Sequence, residues 1–427
     1  MRIWLLKSGE PVPTDPGRQR LHRTGILAEV LAANGCDVVW WTSTFRHADK
    51  QFRYNGTTWE DVGDRQRICF LHTRPYFKNV SFDRILFNRE IANEFQQEAL
   101  DQKQPDIIFA AYPIPELAEA SARYAKERGI PAVVDIRDLW PEIWMSAVPS
   151  YAKPIARVAL LPFHHQSRRA LKLFDGICGP TDEMVEWGLK KAGRRRGKWD
   201  RAFPLAYVEN SYAELDKRAA KAFWDARLAG PPPPDLRLCF FGNIAMRRAR
   251  IDVMIDAMRK LPEAVRDRTQ LVLCGVGEDF EAVRASAADL PQVVVPGWVT
   301  GPQIEVLASR SHAGILPYPS GFDFIRAVPN KAVDYLAHGL PILASLQGPT
   351  SRLIEDEGCG IVYRETDPDD LARAIVDMLN DPARVKRLSD SARRAFREHF
   401  RATEVYGRLT EMLRELASES RSERPSA

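Results

Sequence analysis

Short apolar runs alternate with amphipathic segments along almost the whole of this chain. Residues 3–6 read as a strand, and about 20–34 as a helix with Ile26, Leu27, Val30 and Leu31 on one face. Asn34-Gly35 stops the helix, and 38–42 is the next strand. Strand, helix and strand in that order make a βαβ unit, and repeated units build a parallel sheet with helices on its faces. The pattern continues with strands at 107–112, 132–135 and 176–179, a helix at 115–128, and a helical stretch at 150–175. Pro231 to Pro234 interrupt it with a stiff, non-helical break. It then restarts with strands at 236–241, 271–274, 293–295 and 313–316, and ends in three amphipathic helices between 369 and 417.

At 427 residues the chain exceeds what a single core supports, about 250–300 residues. The reading is therefore α/β, with two doubly wound Rossmann-like domains facing across a cleft. Residues 1–205 form the first and 206–399 the second. A linker spans about 205–235, the helix 400–417 packs back on the first domain, and 418–427 is a disordered tail. The aromatic-rich stretch 44–98 reads as an insertion on the first domain.

Composition excludes several classes. The chain is 45% hydrophobic and 28% charged, as ordinary globular proteins are. A net charge of +4 is no nucleic-acid footprint, which needs clustered charge. No apolar run approaches the ~18 residues of a membrane span, and residues 1–7 are too short for a signal peptide core. The six cysteines form no C-x-x-C and read as small buried hydrophobes in a reducing compartment. The expectation is a cytoplasmic protein.

The stretch 316–345 concentrates the chemistry. Val328-Pro329-Asn330 opens a short helix with Lys331 and Asp334 on one face, and His338-Gly339 closes it ahead of Pro341. Gly321, Phe322, Asp323 and Arg326 lie in the loop before it. Loops at the carboxyl ends of parallel strands are where open α/β sheets bind ligands. No phosphate loop of the G-x-x-x-x-G-K type occurs, Gly275-x-Gly277 is a weak dinucleotide fingerprint, no metal-ligand spacing is present, and no G-x-S-x-G elbow appears. The run from Gly242 and Asn243 to Arg247 and Arg248 follows a strand and leads into a helix. It is either an anion site or a solvated basic helix start.

The order of these features resembles the retaining GT-B glycosyltransferases of family 4, in particular the branch acting in surface polysaccharide, O-antigen and lipopolysaccharide synthesis. The residues that carry the likeness are 17–20 with 27–38, 135–142 (Asp-Ile-Arg-Asp-Leu-Trp-Pro-Glu), Gly242-Asn243 and 329–341. The resemblance implies a nucleotide diphosphate sugar as donor, with uridine as the default base, and transfer with retention to a lipid-linked saccharide or glycan. It implies neither a metal nor another cofactor. Asp334 matches the glutamate that holds the ribose. The family's first glutamate falls on Arg326, so either Asp323 replaces it or Arg326 reads the sugar. Lys331, Arg247 and Arg248 would neutralise the diphosphate. Asp138 and Glu142 would orient or deprotonate the acceptor hydroxyl, or simply cap a helix start. Arg18, Arg20 and Arg137 are candidates for acceptor binding. The segment 153–172 and the basic run 190–198 have the composition of an inner-membrane surface contact, or of a core helix and a solvated loop. Two further readings remain: a nucleotide-sugar 2-epimerase of the same fold, and a non-catalytic module binding a nucleotide or an anionic polymer.

Overall fold

The computed structural model describes residues 1–16, 20–78, 81–209, 212–228 and 234–422. Arg18 and Pro231 to Pro233 lie outside them. Residues 1–206 with the helix Ala402–Ser422 form one compact unit, and Tyr207–Arg401 the other.

The first unit is built on eight strands: β1 (Arg2–Leu6), β2 (Asp37–Ser43), β3 (Thr58–Gly63), β4 (Gln66–Leu71), β5 (Ile107–Tyr112), β6 (Ala132–Ile136), β7 (Gly176–Gly179) and β8 (Arg201–Ala202). Their order is β3-β4-β2-β1-β5-β6-β7-β8, with only β3 antiparallel to its neighbour. The central strands read as unbroken apolar runs because both faces are covered, and β5 is buried at every residue. Trp4 of β1 packs edge-on against Trp41 of β2, with ring centres 4.9 Å apart, and both rings meet Phe95.

The second unit holds β9 (Leu236–Phe241), β10 (Thr269–Cys274), β11 (Val293–Gly297), β12 (Ala313–Leu316), β13 (Ile342–Ala344) and β14 (Gly360–Val362). All are parallel, in the order β11-β10-β9-β12-β13-β14. The strand order reverses between β1 and β5 in the first unit and between β9 and β12 in the second. Those are the points where a doubly wound sheet opens a crevice at its carboxyl edge.

Several expectations change. Residues 44–98 are not an appended insertion: β3 and β4 extend the sheet, and the helix Phe82–Glu98 packs on it through Phe87, Ile91 and Phe95. The span expected as a linker contains the helix Glu214–Arg227, whose buried Trp224 donates to the Gln303 carbonyl at 2.7 Å. Residues 418–422, expected in a disordered tail, continue the final helix. All six cysteines are buried and unpaired.

Candidate functional site

The helix Asn330–Ala337 starts after Pro329, whose extended backbone (ψ 150°) suits the residue before a helix, and stops at Gly339 with φ 69°. Its buried side is Ala332 to Leu336, so Asp334 is drawn in with the apolar residues and is only 7% exposed. Lys331 lies one turn before it. Its side chain crosses Gly242, the first residue after β9: a Cβ placed on Gly242 would overlap Lys331 Cε and Nζ. The ammonium is 5.4 Å from the Tyr318 ring centre and 5.6 Å from that of Phe240. Burial lowers the Lys331 pKa to about 8, against the pull of Asp334 and with help from the Arg248 charge.

Tyr318 follows β12 and stacks flat on Phe324, with centres 4.7 Å apart and 10° between planes. The Arg248 guanidinium lies 6.0 Å from the Phe324 ring centre. Lys331, Arg248, Gly242 and Tyr318 thus converge at the carboxyl ends of β9 and β12, at the switch point of the sheet. Arg247 points elsewhere: it is 74% exposed and pairs with Glu278 at 2.7 Å. Both arginines sit in the turn before the helix Ile251–Lys260, not on its first residues. Asn243 is exposed beside them.

The loop before the Lys331 helix contains a short 3-10 turn, Phe324–Arg326. Arg326 covers the Phe322 ring at 4.1 Å and donates to the Phe322 carbonyl at 2.7 Å, so it braces its own loop. Asp323 holds the capping position of that turn without a side-chain capping bond, its carboxylate close to where a Gly321 Cβ would lie. Glu365 accepts from the Ser320 amide at 3.0 Å and ties the loop down from the β14 side, a contact no local motif announced. The glycines of Gly275-x-Gly277 have a packing reason. A Cβ on Gly275 would overlap the Gly242 carbonyl, and one on Gly277 the Ile244 carbonyl and the Asn243 amide.

In the first unit, Arg137 sits in a buried ion network. It contacts Asp135 and Glu10, each at 2.6 Å, and Asp135 also accepts two bonds from Arg23 at 2.8 and 3.0 Å. Burial alone would raise the Asp135 pKa; Arg23 and Arg137 outweigh it and hold the carboxyl at about 2. Asp138 accepts from the Leu139 amide at 2.8 Å just beyond β6. Glu142 is ion-paired with Lys191, which also contacts His164 Nδ1 at 2.6 Å. Arg20 is exposed ahead of the first helix. Arg23, Glu10 and Lys191 were missed from sequence because their partners lie far along the chain. In the basic run, Arg194 pairs with Asp200 at 2.5 Å and Arg196 with Asp182 at the start of the helix Asp182–Ala192, so both hold the run against its own unit.

Two places are set apart from this chemistry. A groove lined by Arg2, Asp37, Arg65 and Lys103 lies at the amino edge of the first sheet, opposite the ligand edge. Glu357, Glu398 and His399 come together on the second unit, where His399 Nε2 and Glu357 meet at 2.7 Å in an ordinary hydrogen-bond contact.

Residues 24–200 match the model of glycosyltransferase family 4, and residues 235–381 that of the glycosyl transferases group 1. Both halves of the chain belong to glycosyltransferase families. The fold of this glycosyltransferase is GT-B. It aligns over 98% of its length with 99% of sucrose-phosphate synthase from Thermosynechococcus elongatus, at 17% identity and a TM-score of 0.71. The HepE protein of Anabaena, solved in complex with UDP, aligns over 97% of the glycosyltransferase and 99% of its own chain, at 13% identity and a TM-score of 0.64. WaaG, a glycosyltransferase of lipopolysaccharide biosynthesis, aligns over 97% and 99%, at 14% and 0.61. No curated protein sequence matches.

Proposed function

We propose that this glycosyltransferase takes a sugar from a nucleotide diphosphate sugar, with UDP as the carrier, and transfers it with retention to a hydroxyl of a lipid-linked saccharide or glycan in surface polysaccharide synthesis. The second unit is the donor half and the first the acceptor half. The observation that carries the reading is the buried Lys331 ammonium lying over Gly242, with the Arg248 charge acting on it. A buried, desolvated cation at the switch point of a parallel sheet is complementary to a diphosphate. Structures of the same fold hold UDP, UDP-glucose and ADP, which supports a nucleotide donor.

The roles follow from placement. Asp334, buried on the same helix face, accepts from the ribose hydroxyls. Lys331 and Arg248 neutralise the charge that develops on the leaving diphosphate as the sugar–phosphate bond breaks, and this work needs no metal. Arg247, held by Glu278, contributes at longer range. Gly242, Asn243 and the loop from Gly321 through Phe322 and Asp323 to Arg326 shape the sugar pocket. Asp138 orients the acceptor hydroxyl, while Glu142, already paired with Lys191, is the weaker base. Arg137 fixes the floor of the acceptor half through Asp135 and Glu10, and Arg20 lies at its rim.

The acceptor half also carries a surface suited to a membrane face. Tyr151, Ile155, Val158 and Leu161, spaced three or four apart along the helix Lys153–Ala159 and its flanks, are all exposed, with the exposed Arg157 and the half-buried Lys153 between them. No helix among the described residues is long and apolar enough to cross a membrane.

Calorimetric titration with UDP tests the donor assignment. Asp334→Ala should weaken binding by ~1–3 kcal/mol, the range of a lost charged hydrogen bond. Unchanged affinity in that variant would sink the ribose role.

A further inference from the structure

The first unit concentrates positive charge at one edge that the donor chemistry does not use. Lys7 follows β1, His47 and Lys50 follow β2, Tyr76 follows β4, and Arg84 is in the first turn of the helix Phe82–Glu98. The three strands are neighbours in the sheet, so these loops meet at its carboxyl edge, with Lys7 beside the switch point. Tyr76 is the hub. Its hydroxyl contacts His47 Nδ1 at 2.6 Å, and its ring lies 4.7 Å from Lys50 Nζ and 4.2 Å from the Arg84 guanidinium carbon. Lys50 also reaches His47 Nδ1 at 3.2 Å and holds a left-handed backbone with φ 60°, rare for a side-chain-bearing residue.

These cations repel one another. Burial first, then Lys50, Arg84 and Lys7, push the His47 pKa down to about 4. Burial lowers Lys7 as well, with Arg137 and Arg84 adding to it against Glu10. Burial and then Arg84 lower Lys50. Glu10 and Asp138 are the carboxylates that act on Lys7, and Glu116 the one that acts on Arg84. Glu10 is committed to Arg137 and the Thr24 amide. Glu116, the acid nearest in charge to Arg84, is itself pushed toward its neutral form by burial. Such an arrangement lacks only a polyvalent anion.

We infer that Lys7, Lys50 and Arg84, organised around Tyr76 and His47, bind a phosphoryl group carried by the acceptor substrate. This rests on the reading of the first unit as the acceptor half, and it narrows the acceptor to a phosphorylated sugar or a diphosphate-linked lipid. In both, three guanidinium and ammonium groups surround the phosphoryl oxygens, while the buried Tyr76 ring holds Lys50 and Arg84 in place from beneath.

The test is phosphate binding by the full-length protein saturated with UDP, so that the second unit cannot supply the signal. Inorganic phosphate and a hexose 6-phosphate should raise the melting temperature saturably. The unphosphorylated hexose, and chloride at equal ionic strength, should not. Lys50→Gln with Arg84→Gln should raise the apparent Kd for phosphate about tenfold or more. Lys50→Arg, which keeps the charge, should retain binding, and far-ultraviolet dichroism checks that each variant folds. Equal phosphate dependence in wild type and the double variant overturns the inference, as does a shift no larger than that of chloride. Failure of UDP to bind would instead count against the donor reading, since the double-variant comparison reads only the first unit. Competition by the hexose phosphate marks a soluble acceptor; competition only by a prenyl diphosphate in detergent micelles marks a lipid-linked one.

Discussion

The Lys331 side chain occupies the space that a methyl group on residue 242 would fill. Gly242 is therefore a position where the absence of a side chain admits a cation. Gly242→Ala would drive the ammonium off β9 and away from Arg248. UDP affinity should fall about tenfold or more, the loss of one charged contact, while the melting temperature of the unliganded protein changes little. Calorimetry on the variant decides it, and unaltered UDP affinity would remove Lys331 from the diphosphate site.

The Lys331 pKa gives a pH signature. With the free-protein value at about 8, the ammonium is charged at neutral pH and loses its proton as pH rises past 8. A bound diphosphate favours the charged form, so binding takes up a proton in that range. UDP affinity should be flat from pH 6.5 to about 7.5 and then decline through pH 9. Lys331→Met should bind more weakly with no such decline. An affinity that stays level across the whole window in wild type would contradict this.

What could be read from the sequence divides along the range of the contacts. The central strands of both sheets were visible because parallel strands buried on both faces are continuous apolar runs, as in β5 and β9, whereas the edge strands β8 and β14 and the β3–β4 pair were not. Lys331 and Asp334 were visible because helical spacing puts them together. The Lys331–Gly242 overlap, the Glu365 tie to Ser320 and the Arg23–Asp135–Arg137–Glu10 network were not, because each joins residues brought together only by the fold. The helical stretch at 150–175 left two readings open for another reason. An apolar helix segment has the same composition whether it faces a core or solvent, and here Ile155, Val158 and Leu161 face solvent.

The buried network predicts acid sensitivity of the first unit. Asp135 has a folded pKa of about 2 against an ordinary 3.8, so it binds fewer protons folded than unfolded between those values. Its stabilisation is complete above pH 3.8, about 2 kcal/mol, and is lost as pH falls toward 2. Asp135→Asn should cost more, ~3–5 kcal/mol at pH 7, because two buried guanidiniums lose their counter-charge. Urea unfolding followed by tryptophan fluorescence reports mainly on this unit, since of the tryptophans only Trp224 and Trp298 lie in the second. A loss well under 1 kcal/mol would mean that solvent or Glu10 screens the arginines.

The exposed apolar ridge makes the last prediction. Burying four large side chains in a lipid interface contributes at about 25 cal/mol per Å², and Lys153 and Arg157 add about 1 kcal/mol each near an anionic surface. Both contributions are needed for measurable binding, so vesicles containing anionic lipid should sediment the protein and purely zwitterionic vesicles should not. Ile155→Ser with Val158→Ser removes apolar area without touching the core, since both side chains already face solvent. The double variant should lose most vesicle binding while its melting temperature stays the same or rises slightly, and raised salt should weaken binding of the wild type as surface attraction is screened. If the variant sediments as well as the wild type, the ridge is not the contact. If it unfolds instead, the ridge packs against protein in solution and the membrane reading of residues 151–161 falls.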